Sequence, residues 1–185
     1  MDEVQRELMC AWTLLKTGER RLLLPLNATR TIDILCEREN AHAVYIPGEI
    51  SAWCAAAAEK APRQFLLEKD GIACALSFIS CLVKQGLSLR QWRESMPAAF
   101  RSFRKVRMDA SQTGAALHSL FESHPDAQFG GGMRLAGENG WAWISPDDVQ
   151  PEMCVMAEAA KHETADELCF FYADALERLI KQPND

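Results

Sequence analysis

GWAWISPDDVQPEMCVMAEA, residues 140 to 159, decides how the second half of this chain folds. Trp141 and Trp143 alternate with Ala142 and Ile144, the period of two that sends tryptophan to one face of a sheet and Ala/Ile to the other. Ser145-Pro146-Asp147-Asp148 then supplies turn chemistry, because proline fixes φ and aspartates bond nearby backbone amides. Met153 to Ala157 is an apolar run of strand length. The stretch reads as strand, polar loop closed by Pro151, and strand, which is the form of a site.

Working outward, Gly137-Glu138-Asn139-Gly140 is a hairpin turn, and Gly130-Gly131-Gly132 opens the strand Met133 to Ala136. Thr164 and Glu167 have the spacing of a helix start, and Leu168, Phe171 and Leu176 downstream can cover a sheet. Upstream, Phe100 to Met108 alternates as a strand. Asp109 with Gln112 starts a helix carrying Leu117, Leu120 and Phe121 on one face. Residues 98 to 185 thus read strand, helix, three strands, helix, an antiparallel α+β domain with its boundary near Pro97.

The first 97 residues have a different rhythm. Val4, Leu8, Trp12 and Leu15 predict a helix ending near Gly18. Arg21 to Leu26 follows as a strand, Thr29 to Glu39 as a helix capped by Asn27 or Thr29, Ala43 to Ile46 as a strand, and Pro47-Gly48 as a turn. Ile50 to Lys60 is an alanine-rich helix and Gln64 to Glu68 reads as a further strand. Asp70-Gly71 opens a run to Val83 that is apolar nearly all round and reads as a helix buried in the core, ended by Gly86. Ser88 and Gln91 form a capping box for the last helix, which stops before Pro97. The alternation predicts a small, mainly parallel, three-layer α/β domain over residues 1 to 97.

Composition narrows the classes of function. The formal charge is -6 and the sequence pI about 5.3, which argues against nucleic acid and against an anionic membrane as partner. No apolar run approaches the roughly 20 residues of a bilayer span, and Asp2, Glu3, Arg6 and Glu7 stand where a secretory signal is apolar, so the expected location is cytoplasmic. Cys10, Cys36, Cys54, Cys74, Cys81, Cys154 and Cys169 are scattered without a CxxC pair, the pattern of reduced, buried thiols. Neither they nor His42, His118, His124 and His162 have metal-ligand spacing.

The order of elements, the stretch from Gly140 to Ala159 and the Asp70-Gly71-Ile72 triplet together resemble the C-terminal half, domains 3 and 4, of the α-D-phosphohexomutases, the phosphomannomutase and phosphoglucomutase family. The resemblance implies a shortened third domain over residues 1 to 97 and a fourth domain, similar in fold to the TATA-binding protein, over residues 98 to 185. In that family a phosphoserine and a magnesium-binding DGDxDR loop carry phosphoryl transfer. Neither a TASHNP-like loop nor DGDxDR occurs in these 185 residues, and phosphoryl transfer depends on such positioning and charge neutralisation. The family's fourth-domain phosphate loop, RxSNTxP or RPSGTEP, is matched by Ser145, Pro146, Asp147, Asp148, Val149, Gln150 and Pro151. Serine replaces the arginine fork that grips phosphate, and two carboxylates join it. The lysine-containing KxGH turn is matched by Ile46-Pro47-Gly48-Glu49, and the GExSGH sugar loop is missing before Asp70.

The candidate site residues are therefore degenerate: Ser145, Asp147, Asp148, Val149 and Gln150 at the phosphate-loop positions, and Gly48, Glu49 and Asp70 at the sugar-facing ones. Asp147 and Asp148 read as an acidic turn in preference to a cation or amine site, since a hard cation takes about six or more oxygens. Glu49 and Asp70 read as turn and helix-cap residues in preference to an acid/base pair. The expectation is a non-catalytic module, structural, regulatory or binding, linked to sugar-phosphate or sugar-nucleotide metabolism. It carries no cofactor of its own and resembles the mutase-like regions fused to mannose-1-phosphate guanylyltransferase. A sugar-1-phosphate nucleotidyltransferase is the expected partner. The alternative is half of a split mutase, in which a mutase N-terminal half on another chain supplies phosphoserine and magnesium.

Overall fold

The computed structural model describes residues 3–147 and 149–181, which fall into two compact units, Met1–Ala98 and Ala99–Asp185. The first unit runs α1 (Glu3–Lys16), β1 (Arg21–Pro25), α2 (Thr31–Arg38), β2 (His42–Ile46), α3 (Ile50–Lys60), α4 (Pro62–Lys69), α5 (Gly71–Gln85) and α6 (Leu89–Ser95). β1 and β2 pair in parallel from Arg21↔His42 to Pro25↔Ile46, so Pro25 stands at the end of the ladder, where its missing donor costs little. Trp12 of α1, Phe78 of α5 and Trp92 of α6 meet edge to face, with centroids 4.8 to 6.2 Å apart. The capping box predicted at Ser88 and Gln91 is present, and Gly86 ends α5 in the left-handed region at φ 63°.

Three expectations for this unit are corrected. Gln64 to Glu68 is not a strand but the centre of α4, because Pro62 sits in the first helical turn and Gln64 and Leu67, three apart, are both buried. The sheet consequently has two strands. α2 begins after Arg30, which makes no side-chain cap bond; the Thr29 hydroxyl accepts the amide of Thr31 at 3.3 Å. α5 is not buried all round. It packs Cys74, Phe78, Cys81 and Leu82 inward and leaves Ile72, Leu76, Ile79 and Val83 exposed.

The second unit runs β3 (Phe100–Arg107), α7 (Ala110–Ser123), β4 (Gln128–Phe129), β5 (Met133–Gly137), β6 (Gly140–Pro146), β7 (Glu152–Ala159) and α8 (His162–Lys181). Its strands form one antiparallel sheet in the order β3-β7-β6-β5-β4. There are four strands after α7 where three were expected, since the two-residue β4 is too short to show a period. The glycines at 130 to 132 turn β4 into β5, with Gly131 at φ 74°. Glu138 and Asn139 form the predicted hairpin turn, flanked by the Gly137↔Gly140 pair.

The alternation in β6 holds. Ala142 and Ile144 enter the core with Met133, Leu135, Met153, Val155 and Ala157, and Leu120, Cys169, Tyr172 and Leu176 of α7 and α8 cover them. α8 starts two residues before Thr164, and its sheet-facing side differs from expectation: Phe171 is exposed, while Cys169, Tyr172, Ala173 and Leu176 are buried. α7 begins after Asp109, whose side chain makes no cap bond. Trp141 lies on the other face and is fully buried; its Nε1 donates to Glu158 Oε1 at 3.0 Å. Arg101 Nε donates to Glu158 Oε2 at 2.8 Å, and the guanidinium of Arg134 lies 4.1 Å from the centre of the Trp141 ring. Among the described residues no single helix is long and apolar enough to cross a membrane.

Candidate functional site

The loop between β6 and β7 is held from below by the ladder. Ser145 pairs with Cys154 and Pro146 with Met153, and the Asp147 amide then donates to the Glu152 carbonyl at 2.9 Å. Asp147 next turns back on its own loop: Oδ1 accepts from the amides of Val149 at 2.9 Å and Gln150 at 3.0 Å, an aspartate turn. The Glu152 amide donates to the Gln150 carbonyl, and the Met108 amide to the Pro151 carbonyl, which ties the loop to the end of β3.

The remaining oxygen, Asp147 Oδ2, accepts from Lys105 Nζ at 2.7 Å, and Lys105 Nζ lies 3.1 Å from Glu152 Oε2. The Lys105 ammonium, aided by the Val149 and Gln150 amides, holds the Asp147 carboxyl well below the ordinary carboxylate range. Asp147 and then Glu152 raise Lys105 above the ordinary lysine range. The Cys154 thiol, 3.6 Å from Asp147 Oδ2, is pushed up by burial and then by that carboxylate.

Two backbone amides and an ammonium converging on an anion are the elements of an anion-binding loop. Here the anion is the chain's own carboxylate, and the amine that an acidic turn would attract is the chain's own Lys105. Of the other loop candidates, Ser145 is half-buried, Val149 is 83% exposed and Gln150 is exposed. Asp148 lies outside the described residues.

In the first unit the three sugar-facing candidates have backbone roles. Gly48 adopts φ 106°, and a Cβ there would stand 3.2 Å from the Cβ of Ala52, so the position demands glycine. Glu49 is exposed and precedes α3 without a side-chain cap bond; its carbonyl accepts from Ala52 at 2.9 Å. Asp70 caps α5, with Oδ1 accepting from Ile72 at 2.9 Å and Ala73 at 3.0 Å.

What the sequence reading missed is a recess of about 200 Å³ at the C-terminal end of β1, bordered by Arg6, Pro25, Asn27, Ile50, Trp53 and Glu68. Glu68 Oε2 lies 3.8 Å from Arg6, and burial, only partly offset by Arg6, raises its carboxyl. Lys69 Nζ sits 5.3 Å from the centre of the Trp53 ring, and Glu7 accepts from the Thr29 amide at 2.7 Å. The recess lies below the roughly 300–1,000 Å³ of ligand pockets, and Arg6 and Glu68 within it face each other. The signal that could have shown it is Glu3, Arg6 and Glu7, spaced to share one face of α1. Among the described residues no group of three or more His, Cys, Asp or Glu could hold a metal ion.

A small α/β unit on two parallel strands followed by a five-stranded antiparallel unit with helices is the fold of phosphohexomutase C-terminal domains. No family model matches the chain. It is 28% identical over 110 residues to the phosphoglucosamine mutase of Bifidobacterium adolescentis, a match covering 58% of this chain and 22% of that protein. A phosphoglucomutase/phosphomannomutase family protein from Burkholderia thailandensis superposes on 97% of the chain at TM-score 0.69 and 12% identity, with 42% of that protein covered. The Aspergillus fumigatus N-acetylphosphoglucosamine mutase, solved with GlcNAc-6P and magnesium, does so at TM-score 0.66 and 14% identity, with 44% covered. The chain thus spans less than half the length of each of these proteins.

Proposed function

We propose that this chain is a non-catalytic phosphohexomutase-like module with a structural, regulatory or binding role in sugar-phosphate or sugar-nucleotide metabolism. The observation that carries the reading is the occupation of the β6–β7 loop by Asp147, whose carboxylate takes both loop amides and the Lys105 ammonium. A phosphate arriving there would lose those donors to a closer anion. The similarity to phosphoglucosamine mutase supports a place near hexose phosphates, and a sugar-1-phosphate nucleotidyltransferase is the partner the reading favours.

Calorimetric titration with glucose, mannose and glucosamine phosphates tests it. No heat of binding up to millimolar ligand is expected. Micromolar binding would overturn the non-catalytic reading and favour the split mutase, in which a second chain supplies phosphoserine and magnesium.

A further inference from the structure

We infer that the outer face of α5 is a homodimer interface, covered by α5 of a second copy of this chain in antiparallel register. α5 is apolar on two opposite sides. Cys74, Phe78, Cys81 and Leu82 serve the core of the first unit, while Ile72, Leu76, Ile79 and Val83 are 75%, 65%, 55% and 75% exposed. The outer four recur at steps of four, three and four residues, the d-a-d-a spacing of a two-helix seam. Scattered apolar residues on a surface need no explanation, but a heptad stripe along a whole helix does.

The stripe is complementary to itself. A two-fold axis crossing the helix between Ser77 and Phe78 sets Ile72 against the partner's Val83 and Leu76 against the partner's Ile79, so every large side chain meets one of similar volume. Ala75 and Ser80 flank the seam and are small enough for the two helices to approach closely. The ends carry opposite charges, Asp70 at the start of α5 and Lys84 in its last turn. The antiparallel arrangement opposes the two helix dipoles and sets the acidic start of each helix beside the basic end of the other, whereas a parallel pair would set like ends side by side.

Size and charge agree with that occupant. The stripe presents on the order of 500 Å² per chain, and two copies would bury about 1,000 Å², the threshold at which an interface becomes specific while staying weak. A membrane surface fits less well, because interfacial helices flank their apolar face with several basic residues. Among the residues of α5 only Lys84 is basic, on a chain of net charge -6.

Sedimentation of the intact chain from about 1 to 200 µM is the test, the range in which a weak dimer forms and dissociates. The expected result is a monomer–dimer equilibrium with a dissociation constant of tens of micromolar. Ile79→Lys should leave the circular dichroism spectrum intact, since Ile79 is exposed, and remove the dimer. Leu76→Lys, at the middle of the same stripe and also exposed, should remove the dimer likewise. A monomer at all concentrations, a dimer unaffected by Ile79→Lys, or a monomer that cosediments with phosphatidylcholine vesicles would each overturn the inference.

Discussion

Gln64 offers its side-chain amide to the backbone of Leu23 as a neighbouring strand would: Oε1 accepts the Leu23 amide at 3.0 Å and Nε2 donates to the Leu23 carbonyl at 2.6 Å. Trp53 Nε1 donates to the same carbonyl at 2.7 Å. The edge of β1 not used by β2 is thus closed by two side chains, which is how a sheet of two strands can have a buried, satisfied edge.

Replacing Gln64 by leucine should leave the Leu23 amide buried without an acceptor and cost about 1–3 kcal/mol. Urea denaturation followed by tryptophan fluorescence measures it. A change under a few tenths of a kcal/mol would mean that water replaces the amide.

The self-occupied loop gives a second prediction. Asp147→Ser removes the internal anion, releases the Val149 and Gln150 amides from it and leaves Lys105 with Glu152 alone, so inorganic phosphate at millimolar concentration should shift those two amide resonances in the variant and leave them still in the parent chain. Equal response in both would show that Asp147 does not block the loop.

The Lys105–Asp147 pair also sets a pH window. Asp147 is depressed in the folded chain, so its contribution is present above the unfolded value of about 3.9 and is lost as pH falls through the lower folded value. Lys105 is raised, so its contribution is complete below about 10.4 and is lost as pH rises through the higher folded value. The protection of the Val149 and Gln150 amides, taken relative to their intrinsic exchange rates at each pH, should stay constant across neutral pH and fall only at the acid extreme; a fall in protection near pH 6 would contradict the assignment.

Arg101→Ala should cost about 3–5 kcal/mol, the usual result of removing one partner from a buried ion pair, because Arg101 and Glu158 have side chains only 5% and 3% exposed. Arg101→Ala with Glu158→Gln should recover part of that loss in the same denaturation assay. No recovery would show that the pair's charges are not coupled.

Gly140→Ala tests the hairpin. A Cβ at Gly140 would overlap the Glu158 carbonyl and stand 3.1 Å from the Cβ of Ala159. The strain should cost about 1–3 kcal/mol, and thermal unfolding measures it. An unchanged melting temperature would mean that β6 and β7 separate there without penalty.

The elements with strong local signals were legible in the chain itself. The Ser88–Gln91 box, the Gly86 stop, the Gly137 to Gly140 hairpin and the two-residue period of β6 depend on neighbours a few positions away, so the sequence carries them. α4 was misread because a run such as Gln64 to Glu68 is short enough for either state, and the burial of the polar Gln64 against Leu23, 41 residues distant, leaves no mark in the local pattern. α5 was misjudged for a related reason: its apolar residues surround the helix, and periodicity cannot tell a side covered by its own unit from a side left open.

The same division governs the candidate site. That serine stands at position 145 and aspartate at 147 and 148 are statements about residue type, and the sequence determined them. That Asp147 folds back onto two amides while Lys105 reaches it from a strand 42 positions earlier was decided only in three dimensions. The register of β3 on β7, Lys105 opposite Cys154, brings ammonium and carboxylate together, and that register is set by burying Val106 against Met153 on the opposite face of the sheet.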